Sequence, residues 1–305
     1  MKVLITGVSG LLGVALARRF SKKSDVTGIY NTHPVVLDDC SLVKCNLLDK
    51  PDFKKLLSKA NPEVIIHAAA LTDVDLCEQK PELAESINVG LTRNLAGFAK
   101  EKSIRLVYIS TDFIFDGKKG NYSESDLPLP INAYGRTKLK GEDVVKEVSN
   151  HAIVRTSIFG WNVQNKLSFP EWVIDNVGKS RRIGVFTDQI TSMILVDSLA
   201  EMVEKLVVCG ASGTFNIASS NSLSKYDMAL KTASIFGLDK SFIYSSSSAS
   251  VKRIASRPLD CSLNCSKAES LLGALPSIED GLTMMRELES VYKKTKTRSG
   301  YYDKN

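Results

Sequence analysis

Three glycines near the start of the chain, in Gly7-Val8-Ser9-Gly10-Leu11-Leu12-Gly13, follow the apolar run Val3-Leu4-Ile5 directly. They also precede a helical pattern that places Leu12, Leu16 and Phe20 on one face. A strand, a tight glycine turn and a helix in that order make the first half of a βαβ unit. Gly7 permits the turn, Gly10 lets backbone approach a pyrophosphate, and Gly13 lets the helix pack closely on the sheet. The N-terminus of the helix then offers free N–H groups and the positive end of its dipole to an anion. The spacing is a Gly-x2-Gly-x2-Gly variant, and its position after a clear strand reads as dinucleotide binding.

The same alternation continues. Apolar runs at 26–30, 43–46, 64–66, 105–109 and 152–155 read as strands, and they are separated by helical stretches. One helix is opened by Pro51, one runs from about 81 to 100, and one carries Tyr134. Near-continuous apolar strands between helices predict a parallel sheet covered on both faces. The fold class is therefore α/β, a Rossmann-type doubly wound parallel sheet with a smaller C-terminal substrate-binding domain. The expected division is a NAD(P)-binding domain over 1–160, with elements returning from about 182–217, and a cap with a basic tail over 161–305. In the second half, 169–177, 199–208 and 223–236 look helical, with Gly237 as a cap, and 213–217 looks like a strand. The serine run 245–250 reads as a surface loop or a flexible linker. The end of the chain, with Lys293, Lys294, Lys296, Arg298 and Lys304, reads as frayed and solvated.

Composition excludes several classes. A hydrophobic content of 43% and a charged content of 24% suit a soluble globular chain of 305 residues. The net charge of +6 is mild and partly local to the tail, so no nucleic-acid partner is expected. The six cysteines form no Cys-x2-Cys pair and do not cluster with the three histidines, so no metal is expected. They read as free thiols in a reducing cytoplasm. No run approaches the ~20 apolar residues of a membrane span. The expectation is a cytoplasmic protein with no membrane partner.

Candidate cofactor contacts lie where strands end. Besides Gly7, Ser9, Gly10, Leu11, Leu12 and Gly13, these are Tyr30 and Asn31 after the second strand, Asn46 and Leu47 after the third, and Ala68, Ala69 and Ala70 after the fourth. The ribose-reading position holds Tyr30-Asn31-Thr32-His33 and no acid, which leans toward NADPH or dual use with NADH, with no arginine placed for a 2′-phosphate. Thr111, in Ser110-Thr111-Asp112, ends the fifth strand. One helical turn separates Tyr134 from Lys138, so phenol and ammonium share a helix face. A cation there is expected to lower the pKa of the tyrosine toward the range of acid–base work. About one such pair arises by chance in a chain this rich in both residues, and Tyr292 with Lys296 is a second instance.

Taken together, residues 7–13, 110–117, 134–142 and 154–157, Thr187-Asp188-Gln189, Arg257-Pro258, Ser262-Leu263-Asn264 and Lys267 resemble an extended short-chain dehydrogenase/reductase. Within that superfamily they are most similar to the dTDP-4-dehydrorhamnose reductase family. The resemblance implies Thr111, Tyr134 and Lys138 as the catalytic set, with Lys138 also bonding the nicotinamide ribose. It implies hydride transfer from NADPH or NADH to a nucleotide-diphosphate 4-keto-6-deoxysugar, with the proton supplied by Tyr134, and a homodimer is consistent with it. Substrate-contact candidates are Asp112, Phe113, Trp161, Gln189 and Arg257, together with Arg155. Two departures stand out. Phe113 replaces the usual tyrosine, which also removes the glutamate that sister dehydratases place there. Ile190-Thr191-Ser192-Met193-Ile194 replaces the usual Gly-x-Pro-Thr after Asp188-Gln189. The competing readings are a nucleotide-sugar epimerase and a non-catalytic NADP-binding regulatory subunit like that of methionine adenosyltransferase.

Overall fold

The computed structural model describes residues 1–301. The first half runs β1 (Lys2–Thr6), α1 (Leu11–Phe20), β2 (Asp25–Tyr30), β3 (Ser41–Lys44), α2 (Lys50–Ala60) and β4 (Val64–His67). It continues with α3 (Val74–Gln79), α4 (Pro81–Glu85), α5 (Leu91–Lys102), β5 (Arg105–Ile109), α6 (Ala133–Lys146) and β6 (His151–Arg155). Then come β7 (Ile158–Phe159), α7 (Phe169–Gly178), β8 (Ile183–Phe186), β9 (Ile190–Thr191), β10 (Ile194–Leu195), α8 (Val196–Cys209) and β11 (Gly213–Asn216). The chain ends with β12 (Leu223–Ser224), α9 (Lys225–Phe236), β13 (Ile243–Ser246), α10 (Ser266–Leu272), α11 (Ile278–Glu287) and α12 (Glu289–Arg298).

Seven strands form one parallel sheet in the order β11-β6-β5-β4-β1-β2-β3. This is the doubly wound arrangement expected. The strand order reverses between β1 and β4, and a crevice opens there at the carboxyl ends of the strands. Leu16 and Phe20 of α1 pack with Leu199 and Leu206 of α8 on one face of the sheet. Leu57 of α2 and Leu95 and Ala99 of α5 cover the other face with Leu4 and Ile65. Each of these large side chains is almost fully buried, which stabilises the fold by roughly 1.5–3 kcal/mol apiece before entropy is counted. The cap gathers around Phe159, Met193, Met228, Ile278 and Met285. Of the span 182–217, β11 joins the large sheet beside β6, whereas β8 pairs with β13 in a two-stranded piece of the cap.

Four local expectations change. β3 begins two residues earlier than expected. The helix expected over 81–100 is interrupted by a π turn, Ser86–Gly90. That turn carries the buried Asn88, whose amide bonds both backbone groups of Leu71 and the Thr137 hydroxyl of α6. The serine run is ordered rather than a loose linker: β13 takes part of it, and the Asp188 carboxylate accepts from the Ser247 hydroxyl (2.7 Å) and the Ser248 N–H (2.9 Å). The basic tail is likewise docked as α12. Tyr292 is 2% exposed, its hydroxyl donates to Asp197 Oδ2 (2.9 Å), and Arg18 of α1 lies over its ring. Arg298 pairs with Asp38, while Lys304 lies outside the described residues. The chance pair at Tyr292 is therefore a structural tyrosine.

Candidate active site

The glycine loop is built by exclusion. Gly7 has φ +70°, and a Cβ there would stand 2.8 Å from the Ala69 backbone. A Cβ on Gly13 would stand 2.1 Å from the Gly7 carbonyl oxygen. Only glycine allows β1, β4 and α1 to meet this closely. Gly10 caps α1 without a side-chain hydrogen bond, so the first N–H groups of the helix stay available to an anion.

A cleft of ≈ 580 Å³ opens above this loop. Gly7, Ser9, Gly10, Leu11, Leu12 and Gly13 form its floor, and Ala68, Ala69 and Ala70 form a low wall. Tyr30, Asn31, Thr32, His33 and Leu47 close one end, and no carboxylate lies among them. Asn46 does not reach the cleft; its side-chain oxygen accepts from the Leu48 N–H (3.1 Å) and shapes the turn that turns Leu47 inward. Across the mouth, the Gln164 amide donates to the Ser9 carbonyl (2.7 Å). The size of the cleft, the glycine cradle and the open helix N-terminus fit a nicotinamide dinucleotide.

Thr111, Tyr134 and Lys138 meet at the other end. Asn132 caps α6 by accepting from the Gly135 N–H (2.8 Å), which sets the first turn that carries Tyr134. The Thr111 hydroxyl donates to Asp112 Oδ1 (3.1 Å) and faces the Tyr134 phenol. The Phe113 ring meets the Tyr134 ring edge-on at 6.2 Å. Lys138 is 3% exposed; its ammonium donates to the Ile109 carbonyl (2.7 Å) and sits 4.0 Å from the centre of the Tyr108 ring.

The electrostatics reverse one expectation. Burial raises the pKa of the Tyr134 phenol well above its ordinary value; the Thr111 hydroxyl opposes the shift, and the Asp112 charge adds to it. The same burial lowers Lys138 to about 7, against the pull of Glu142. Lys138 thus does not activate the tyrosine as a base in this state. Tyr134 stays a phenol with a proton to give. His67 is held neutral, its pKa pushed down to about 3 by burial and then by Lys138, between the hydroxyls of Thr6 (2.8 Å) and Thr92 (3.0 Å).

Behind this set lies a buried ion pair. Arg155 contacts Glu142 at 2.8 Å, and the Ser110 hydroxyl donates to the same carboxylate (2.6 Å). Arg155 is consumed in this brace, so it is not a pocket residue. Trp161 also leaves the candidate list: its indole N–H donates to the Met285 carbonyl (2.6 Å), and its ring packs edge-on against Phe236 inside the cap.

A smaller hollow of ≈ 160 Å³ adjoins the catalytic end. Asp112 and Phe113 form the wall it shares with the cleft, and Gln189 and Arg257 line it as well. Arg257 is already paired with Asp75 (3.0 Å). Sequence reasoning missed two further cations here, Lys225 and Arg253. Neither belongs to a motif that the sequence could show. Among the described residues, no helix is long and apolar enough to cross a membrane and no group of side chains could hold a metal. All six cysteines are unbridged.

Comparison with known proteins places this geometry in a lineage. The model of the RmlD substrate binding domain family matches residues 1–289. A probable low-salt glycan biosynthesis reductase of Haloferax volcanii is 33% identical, over 96% of this chain and 99% of that protein. Methionine adenosyltransferase 2 subunit beta of Mus musculus is 32% identical, over 88% of this chain and 82% of that protein. The structure of dTDP-4-dehydrorhamnose reductase from Bacillus anthracis, in complex with NADP, superimposes with a TM-score of 0.83. It is 30% identical, over 94% of this chain and 99% of that one. The chain belongs to the RmlD substrate binding domain family, within the short-chain dehydrogenase/reductase superfamily.

Proposed function

From that membership we propose that the chain is a NAD(P)H-dependent reductase of a nucleotide-diphosphate 4-keto-6-deoxysugar, working in the cytoplasm. The observation that carries the reading is geometric: the half-buried Tyr134 phenol stands beside the Thr111 hydroxyl, with Lys138 one helical turn on, at the end of a dinucleotide-shaped cleft. Bound NADPH or NADH supplies the hydride. The Thr111 hydroxyl holds the carbonyl oxygen, and Tyr134 gives its proton to that oxygen as the carbon is reduced, so ketone becomes carbinol. Lys138 reaches the nicotinamide ribose from the same helix face. The acid-free end at Tyr30-Asn31-Thr32-His33 supports NADPH as the preferred cofactor.

The test is to incubate the protein with NADPH or NADH and a panel of nucleotide 4-keto sugars, following loss of reduced cofactor. Consumption with one sugar supports the reading, and none with any sugar sinks it. An epimerase would instead purify with tightly held oxidised cofactor and interconvert sugars without consuming any. The near-equal identity to the methionine adenosyltransferase subunit supports a second reading, a cofactor-binding partner protein. In that case Tyr134→Phe would leave the function in cells intact. Light scattering would show whether the protein is the homodimer its resemblance suggests.

A further inference from the structure

Six buried side-chain polar atoms find no hydrogen-bond partner among the described residues, and three of them belong to residues lining the two cavities. Thr156 lines the cofactor cleft, while Asp112, which Ser157 also approaches, and Thr191 line the smaller hollow. Orphaned polar atoms of this kind are costly and mark a missing partner. The same hollow holds two cations without a direct ion pair: the Asp112 carboxylate acts on Lys225, and those of Asp75 and Asp188 act on Arg253, only through space. Lys225 Nζ touches only soft partners, Met193 Sδ at 2.9 Å and the Phe169 ring at 4.7 Å, and it makes no ion pair among the described residues. Arg253 lies 4.8 Å over the Phe186 ring and makes none either. Arg257, by contrast, is neutralised by Asp75.

This arrangement is built by the segment in which the chain departs from its family pattern. β9, which holds Thr191, pairs with β12, and the Lys225 N–H donates to the Gln189 carbonyl (2.9 Å). Met193 of the same segment is the thioether under the Lys225 ammonium. The replaced residues therefore bring Thr191 to the hollow and place the thioether that meets Lys225.

We propose that the hollow is an oxyanion subsite in which Lys225, Arg253 and the Thr191 hydroxyl bind an anionic substituent of the substrate. Asp112, next to the catalytic Thr111, accepts a neutral sugar hydroxyl and keeps the anion at the Lys225 end. The shared chemistry is an oxyanion with two sources, a carboxylate on the sugar or a phosphate of the nucleotide. The inference rests on the nucleotide-sugar reading above and deepens it.

Calorimetric titration of the NADP-saturated protein with UDP-glucuronate, UDP-glucose and UDP tests this. Lys225→Met should weaken UDP-glucuronate binding by about tenfold or more, as loss of a charged hydrogen bond does. Lys225→Arg should keep most of the affinity, and Arg253→Met should lose less than Lys225→Met. Weakening confined to UDP-glucuronate assigns the subsite to a sugar carboxylate, and equal weakening of all three assigns it to phosphate. If Lys225→Met misfolds by its melting curve, the half-exposed Arg253 carries the test, and unchanged binding by Arg253→Met then overturns the proposal. So does Lys225→Met binding all three ligands like wild type, or wild type binding none. Because none of these ligands is a ketone substrate, the result is separate from turnover. A protein that binds them through Lys225 yet reduces no keto sugar would refute the reductase reading alone.

Discussion

The cofactor cleft and the smaller hollow share a wall at Asp112 and Phe113, yet they are made of different material. The floor and one wall of the cleft are backbone: glycine turns, alanines at a strand end and the open N-terminus of α1. Its catalytic side chains are braced from behind by the Arg155–Glu142–Ser110 cluster. The hollow is made of side chains from five separate stretches, at 112–113, 157, 189–191, 225 and 253–261, and of its cations only Arg257 is held in a direct ion pair. A backbone-built site has to keep its shape whatever it binds. A site built from side chains can change its ligand through a few substitutions.

The largest effect that could break this contrast is expected at Tyr134. Tyr134→Phe should lower kcat by roughly 10²–10⁴ while NADPH affinity, measured by fluorescence titration, stays unchanged. A fall in affinity of the same size would mean that the tyrosine belongs to the cradle and not to the chemistry. Next comes Gly13→Ala, whose methyl would press on the Gly7 carbonyl. It should cost about 1–3 kcal/mol of stability and weaken the cofactor while sparing UDP binding in the hollow. Equal loss of both ligands would show that the two cavities are one mechanical unit.

Two pH effects follow in size. His67 is neutral in the fold, with its pKa depressed from 6.5 to about 3. Its contribution to stability is present above pH 6.5 and is lost as pH falls from there toward 3. The loss should amount to a few kcal/mol, at ~1.4 kcal/mol for each pH unit between those two values. Urea unfolding against pH should show it, and His67→Gln should flatten the curve. Lys138 is depressed to about 7 by burial and supported by Glu142. NADPH affinity should therefore fall as pH rises through about 7, and Glu142→Gln should move that fall to lower pH. The smallest effect is expected at Trp161. Trp161→Phe should lose about 1 kcal/mol of stability with its bond to Met285 and leave KM within about twofold.

The same contrast explains what the sequence disclosed. The glycines, the alanine run and the pair Tyr134 and Lys138 recur at spacings set by strand, turn and helix geometry, so the sheet and the cleft were legible. The direction in which the Tyr134 pKa moves was not, because it depends on burial by distant elements and not on the neighbour four residues away. Lys225 and Arg253 carry no motif, since their meeting depends on β9 pairing with β12 and on where the 251–259 segment falls. Arg155 and Trp161 misled for the opposite reason. A guanidinium and an indole announce binding in sequence, yet Glu142 and the Met285 carbonyl had already claimed them.

The docked tail has a consequence for synthesis. Tyr292 belongs to the same buried cluster as Leu12, Leu16 and Phe20, together with Leu272 and Leu275, and Arg298 reaches back across 260 positions to Asp38. The nucleotide-binding half therefore cannot finish its own core as it leaves the ribosome. That cluster is completed only when Tyr292 of α12 has been made, and contacts of such long separation form slowly. A chain stopped after the large sheet would carry every cofactor residue and still be an unfinished fold, exposed to aggregation at the place that α12 covers.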